Sequence, residues 1–396
     1  MGLNDTPVAD RFTIGIFGRR NAGKSTLINA ITKQKIAVTS EFAGTTTDPV
    51  YKTMEILPIG PVVLIDTAGL DDEGELGEMR IEKTYEVLRK CNLALLVCDS
   101  NEGVTDFEVE FAKELEKRKI TCILVLNKCA GKELSKTSIK VPTVCADAES
   151  GFGIEKVKKL IIDNSQYDDT DLSLVEGLVQ KGDIAVLVIP IDNAAPKGRL
   201  ILPEQQVIRA ILDKGAMPIV TRETELAQTL SSLKNPPKIV ITDSQAFKIV
   251  ADIIPKDMPL TSFSIIFARQ KGDLKKLYAG IEAIKNLKAG DTVLIEEGCT
   301  HHRQSDDIGT VKIPRFIKSV CPDVKFEWVS GAVFPRDLSK YSLIVHCGAC
   351  MIARREMCYR IDTALEKNVP MTNYGMTLGY FTGVLDRALK PMKEIN

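Results

Sequence analysis

The sequence predicts an α/β protein of three parallel-sheet blocks. Residues 1–167 read as a P-loop nucleotide-binding domain, and 168–264 and 265–396 as two smaller α/β domains of Rossmann or flavodoxin type. Three observations predict this. Short apolar runs alternate with amphipathic helical stretches along the whole chain. A glycine-rich loop joins the first apolar run to the first helical stretch. The polar, acidic stretch Gln166-Tyr-Asp-Asp-Thr-Asp171 reads as a linker.

In the first block, strands are expected over 12–17, 52–56, 62–65, 93–97, 123–126 and 141–144. Helices are expected over 25–32, 78–89, 108–118 and 154–163. The second block offers strands over 184–190, 218–221 and 238–242, with helices over 204–213, 223–233 and 245–254. A loop rich in Asn, Pro and Gly fills 192–203. The third block opens near 264–272. Helix 274–286 leads to strand 292–296, helix 310–319 to strand 325–329, and strand 343–345 to helix 354–367. The two later blocks share an alternation but no evident sequence repeat.

Composition narrows the class. The 396 residues are 44% hydrophobic and 27% charged, ordinary for a globular chain that buries real cores. A net charge of −1 gives no global positive field, so nucleic acid is not an expected partner. Met1 to Asp10 is polar, without the apolar core of a secretion signal, and runs such as Leu93–Val97 are too short to cross a bilayer. The expectation is a cytoplasmic protein with no membrane partner.

Gly18-Arg-Arg-Asn-Ala-Gly-Lys24-Ser25 fits the phosphate-binding loop. Its amides, with the positive end of the following helix, can surround phosphate oxygens, so Gly18, Ala22, Gly23 and Thr26 join the expected site. Lys24 can reach the β- and γ-phosphates and Ser25 can ligate Mg²⁺. Asp66-Thr-Ala-Gly69 ends an apolar strand: the acid can hold Mg²⁺ through water, and the Gly69 amide can sense the γ-phosphate. Thr46, within Thr45-Thr46-Thr47, can close over Mg²⁺. In this order the elements resemble a translation-factor-class GTPase, with Thr46 as the switch I threonine. Lys24, Thr46 and Gly69 are then the residues that serve GTP hydrolysis. Leu70 stands where Ras-like proteins carry a catalytic glutamine. Asn21 occupies the position that ligates K⁺ in the tRNA-modification GTPases, so K⁺ is a candidate activator. Asn127-Lys128 begins an N-K-x-D base-reading element, but the fourth position is Ala130. Cys145-Ala146 resembles the S-A element whose backbone amide reads the guanine O6. GTP is the expected nucleotide, with weakened guanine discrimination.

The ten cysteines and three histidines are unevenly spread. Cys98 and Cys122 lie in apolar strand-like runs, where a thiol acts as a small hydrophobe. Cys299-Thr-His301-His302 and His346-Cys347-Gly-Ala-Cys350 gather every histidine beside three cysteines. Each group follows a predicted strand, and open α/β sheets build ligand sites beyond strand carboxyl ends. Gly348 is expected to ease the C-x-x-C turn. Three thiolates suit a 4Fe–4S cluster with one non-cysteine position. A Cys/His zinc site, a redox pair and a plain core turn remain open alternatives.

C-x-H, then H-C-x-x-C, behind a GTPase domain with a Gly-Arg-x-Asn-x-Gly-Lys-Ser loop and a Gly44-Thr-Thr-Thr-Asp-Pro-Val50 segment, resembles the HydF family of FeFe-hydrogenase maturation GTPases. The resemblance covers all three blocks in order. It implies a dimerising middle domain and a 4Fe–4S cluster on Cys299, Cys347 and Cys350. It implies a scaffold or carrier that receives a diiron precursor from radical-SAM maturases and passes it to the hydrogenase. His301, His346, water, or an acid among Glu296, Glu297, Asp306 and Asp307 are candidates for the fourth iron position, with the two histidines as labile ligands or outer donors. The competing reading is an RNA-modifying or ribosome-assembly GTPase with structural zinc. Cys321 and Cys358 read as structural, and Trp328 as a residue of a core strand. Arg354, Arg355 and Arg360 read as a solvated helix face or as contacts to an anionic precursor.

Overall fold

The computed structural model describes residues 11–32, 49–67, 75–129, 139–165, 173–191, 200–298, 307–331 and 334–393. The chain divides into two units, 1–170 and 171–396. In the first, β1 (Phe12–Phe17) leads to α1 (Lys24–Thr32), β2 (Val50–Ile56), β3 (Gly60–Asp66) and α2 (Glu75–Lys90). Then come β4 (Leu93–Asp99), α3 (Asp106–Lys117), β5 (Thr121–Asn127), β6 (Thr143–Cys145) and α4 (Ile154–Asn164). The strands form one sheet in the order β2-β3-β1-β4-β5-β6, parallel except for β2 against β3. Central strands covered on both faces read as largely apolar, wholly buried runs, whereas the edge strand β2 alternates. Period-2 geometry divides β4 between two cores: Leu93, Leu95 and Val97 pack with α1 and α4, while Ala94, Leu96 and Cys98 pack with α2 and α3.

The second unit runs β7 (Ile184–Val188), α5 (Leu202–Asp213), β8 (Met217–Thr221), α6 (Leu226–Ser231), β9 (Ile239–Thr242), α7 (Phe247–Ile253) and β10 (Leu260–Ser262). It continues through α8 (Phe263–Lys271), α9 (Leu274–Ile284), β11 (Thr292–Glu297), α10 (Ile313–Val320), β12 (Lys325–Ser330), β13 (Leu343–His346) and α11 (Arg354–Glu366). It ends with β14 (Met371–Asn373), α12 (Tyr374–Phe381) and α13 (Leu385–Lys393). Two parallel sheets result, β10-β9-β7-β8 and β12-β11-β13-β14. Both have the flavodoxin-like order second-first-third-fourth, so the unit is a topological duplication.

The repeat surfaces in sequence at one place, Leu260-Thr-Ser-Phe-Ser264 against Met371-Thr-Asn-Tyr-Gly375. Each segment ends a strand and caps a helix. Ser262 Oγ accepts from the Ile265 amide at 3.3 Å, and Asn373 Oδ1 from the Met376 amide at 2.8 Å. The two helix starts touch: Asn373 Nδ2 donates to the Ser264 carbonyl at 3.2 Å, and a Cβ at Gly375 would lie 2.4 Å from Ser264 Cβ. One buried apolar cluster runs through both sheets, so the two smaller blocks pack as one body.

Several details differ from the sequence expectation. Helix 310–319 is a π-helical turn, Ile308–Lys312, followed by α10. Trp328 lies on the edge strand β12 and is 40% exposed, its indole N–H donating to the Gly309 carbonyl at 3.1 Å. An edge strand with one neighbour leaves a large side chain only half covered. Among the described residues, no helix is long and apolar enough to cross a membrane.

Candidate nucleotide and cluster sites

The nucleotide site forms where β1 turns into α1. At Gly18 (φ 147°) a Cβ would sit 2.2 Å from the Val97 carbonyl oxygen, and at Gly23 (φ 90°) 2.2 Å from Asn127 Nδ2. Only glycine lets the loop pass this close to its neighbours. Lys24, the first residue of α1, is buried, and its ammonium donates to the carbonyls of Gly18 at 2.9 Å and Arg19 at 2.8 Å. Thr26 lies in the same first turn. Ser25 Oγ donates to Asp66 Oδ2 at 2.5 Å, while the other carboxylate oxygen, Oδ1, is buried without a hydrogen-bond partner. Burial raises the Asp66 pKa, against the bond from Ser25 and the charge of Lys24. A hydroxyl beside an orphaned carboxylate oxygen is a hard-oxygen donor set that fits Mg²⁺.

Asn127 and Lys128 tie the base side together. Asn127 Nδ2 donates to the Ala22 carbonyl at 3.0 Å, and its Oδ1 accepts from the Ala148 amide at 3.1 Å. Lys128 Nζ donates to the Asn21 carbonyl at 2.7 Å and pairs with Asp99 at 2.8 Å. The Ala146 amide donates to Leu126 and the Asp147 amide to Phe152, so these two hold the loop after Cys145. Thr46, Gly69 and Ala130 lie outside the described residues.

Sequence reasoning missed one pair here. Arg19 Nε donates to Glu108 Oε1 at 2.8 Å and joins the phosphate loop to the start of α3. Glu108 is fully buried and also takes the Thr105 amide at 2.9 Å and hydroxyl at 2.6 Å. The T-x-x-E spacing was a readable capping signal.

The cysteine site lies between neighbouring strands β11 and β13, the topological switch point of the second sheet. The Cys347 amide donates to the Glu296 carbonyl at 2.8 Å, and the Gly298 amide to Cys347 Sγ at 3.2 Å. Cys347 and Cys350 are half-buried, and the turn between them uses Ala349 at φ 58° rather than Gly348 for its left-handed residue. Among the described residues, no three of His, Cys, Asp and Glu converge as a metal site. Cys299, His301 and Asp306 lie outside those residues. Cys299 follows Gly298 directly in sequence, and amide N–H groups aimed at sulfur suit thiolate ligands of an iron–sulfur cluster.

His346 is fully buried behind this turn. Its Nδ1 lies 2.8 Å from the Cys347 carbonyl and its Nε2 3.3 Å from Arg360 Nη1. Arginine only donates, so Nε2 accepts and the proton sits on Nδ1. Burial, aided by the nearby guanidinium, lowers the His346 pKa to about 3, which keeps the ring neutral. Arg360 is neither solvated nor free to meet a ligand: it is 1% exposed, pairs with Glu296, and donates through Nε to Glu356 at 3.0 Å. Burial pushes Glu296 up to about 8, opposed by Arg360. Cys321 is buried, as expected of a structural thiol, and Cys358 is half-buried beside Arg354.

A family model described as the hydrogen maturase F tetramerization domain matches residues 275–391, and one described as its dimerization domain matches 174–272. Together they cover more than half of the chain. The chain belongs to the HydF family of hydrogenase maturases. A third model, a 50S ribosome-binding GTPase, matches residues 13–128 and supplies the GTPase domain of this HydF chain. That part is similar to GTPase Der of a Nitratiruptor species, 35% identical over 123 residues, covering 30% of this chain and 26% of the relative. Der of Campylobacter concisus is 36% identical over 143 residues, covering 35% and 29%. The chain thus spans under a third of the length of these two relatives. Among solved structures, Era of Aquifex aeolicus aligns with a TM-score of 0.34 and 18% identity, covering 52% of this chain and 91% of that one. The G domain of the Thermotoga maritima FeoB iron transporter aligns at 0.32 and 23%, covering 39% and 99%.

Proposed function

We propose that this HydF chain is a GTP-hydrolysing scaffold and carrier that holds a 4Fe–4S cluster on Cys299, Cys347 and Cys350 in the cytoplasm. It takes a diiron precursor from radical-SAM maturases and passes it to the FeFe-hydrogenase. The observation that supports the reading is the Gly298 amide on Cys347 Sγ, at the neighbouring carboxyl ends of β11 and β13, one residue before Cys299 in sequence. When bound, the cluster supplies an iron position able to bridge to a precursor. His346 serves behind it: with both ring nitrogens engaged, it orients the Cys347 carbonyl. Anaerobic purification with metal analysis and EPR tests this. Wild type is expected to carry about four irons per chain, as one cube requires, and Cys299→Ser to lose most of them. Stoichiometric zinc in a colourless protein overturns the reading.

GTP acts as a switch. The γ-phosphate orders the segments carrying Thr46 and Gly69, and hydrolysis releases them. Lys24 neutralises phosphate charge, and Ser25 with Asp66 holds Mg²⁺. Asn21, held at φ 61° in the loop, is the K⁺ ligand of this reading. Hydrolysis is expected to be at least about tenfold faster in K⁺ than in Na⁺ if the ion acts as an arginine finger does. Equal rates remove K⁺ from the mechanism.

The dimer forms through β8. Among the described residues this strand is the last of its sheet, and Met217 is 48% and Val220 47% exposed. Apolar, unpaired edges invite a further strand, and a two-fold pairs β8 antiparallel with its copy. Val220→Asp is expected to shift the mass measured by light scattering toward monomer, and an unchanged mass rules the edge out.

A further inference from the structure

Helix α8 ends the residues matched by the dimerization-domain model, yet it lies along the cysteine turn of the following domain. At its first turn, a Cβ on Gly348 would sit 3.8 Å from Ser264 Oγ. At its last, the Lys271 ammonium donates to the carbonyls of Cys350 at 3.2 Å and Ile352 at 2.9 Å. Lys271 is only 3% exposed, and its charge lies 5.6 Å from the Phe267 ring centre. A lysine at a helix end commonly caps its own carbonyls. This one instead reaches acceptors 79 and 81 residues downstream. Burying an ammonium is expensive, and charge-assisted bonds to carbonyls offset that expense only when the geometry is held.

The same helix is gripped from the other side. Arg269 donates through Nη1 to the Glu176 carbonyl and through Nη2 to the Leu174 carbonyl, each at 2.9 Å, at the start of the dimerization match. One nine-residue helix therefore bonds the first residues of that domain and the cysteine turn together.

We propose that Lys271 is a positioning residue that fixes the Cys347–Ile352 turn for cluster binding and links it to the dimerization domain through α8. The inference rests on the cluster reading above. Lys271 touches the backbone of a ligand, so its loss loosens the turn and withdraws positive charge from beside the thiolates. A cation there favours the more negative, reduced cluster.

Lys271→Met and Lys271→Arg in the full chain test this with two readouts. In cluster-free protein, iodoacetamide labelling at about pH 9.5, where thiols are largely ionised and the lost cation no longer sets the thiolate fraction, is expected by peptide mass spectrometry to modify Cys347 and Cys350 about fivefold faster in Lys271→Met, relative to Cys145 in the other unit. In reconstituted protein, EPR-monitored titration is expected to show a more negative midpoint potential. Lys271→Arg, which keeps charge and donors, is expected to restore both toward wild type. Should Lys271→Met not fold, Lys271→Gln is read the same way. Wild-type labelling rates and potential in the charge-removing variant overturn the proposal. A wild type that takes up no cluster overturns the cluster reading instead, and the labelling rates still decide whether Lys271 holds the turn.

Discussion

Arg360→Met is expected to destabilise the second unit by about 3–5 kcal/mol, the range for removing one partner from a buried ion pair. Arg360 sits between two carboxylates, Glu296 and Glu356, and against His346, all nearly or fully buried. Methionine replaces the stem but leaves the carboxylates without their cation. Protonation is the escape. Burial already raises Glu296 to about 8, and Arg360 is the cause holding it down. Removing the guanidinium moves that pKa further up. A carboxyl whose folded pKa is raised adds stability that is fully present below its unfolded value and lost as pH rises through the folded value. The defect should therefore be smallest near pH 5 and grow toward pH 9, and Glu296→Gln on top of Arg360→Met should flatten that slope. Urea unfolding across this range checks it. A loss below about 1 kcal/mol at every pH would mean that the cluster of charges is solvated after all.

How much of this was readable beforehand depended on the kind of signal. The phosphate loop was legible because chemistry dictates residue type at each position; in the fold the Lys24 ammonium meets the loop carbonyls of Gly18 and Arg19, and Ser25 Oγ meets Asp66. Strands β1, β4 and β5 were legible because both faces are covered. The last elements were not. Met371-Thr-Asn-Tyr-Gly-Met-Thr-Leu-Gly carries β14 and most of α12 without polar alternation, because nearly all of it is buried. The duplicated topology was hidden for a related reason: strand order is set by contacts between distant segments, and only the capped strand ends at Ser262 and Asn373 kept a common pattern. Arg360 and Lys271 were misread or missed because a basic residue on an amphipathic helix looks solvated until its neighbours are known. The C-x-x-C turn was found by spacing, but which residue would take the left-handed conformation was not, since alanine carries no such preference.

Wild-type protein is expected to separate GTP from ITP weakly, and Ala130→Asp is expected to raise that preference by about 10- to 100-fold. Guanine offers two donors, N1–H and the N2 amine, to a carboxylate at the fourth position of N-K-x-D, and inosine lacks the amine. A hydrogen bond to a charged group contributes about 1.5–3 kcal/mol, which is the stated range in affinity. The rest of the base side stands ready. Asn127 is 1% exposed and bonded to the Ala22 carbonyl and the Ala148 amide, and Lys128 bridges Asn21 and Asp99. These contacts stiffen the pocket without distinguishing one purine from another, because they are made to the protein. Discrimination must come from a group aimed at the base edge, and alanine at position 130 has none. Nucleotide titrations with GTP, ITP and ATP on both proteins decide the matter. A wild type that already prefers GTP over ITP by a hundredfold would mean that another acid reads the N2 amine. The substitution would then add little.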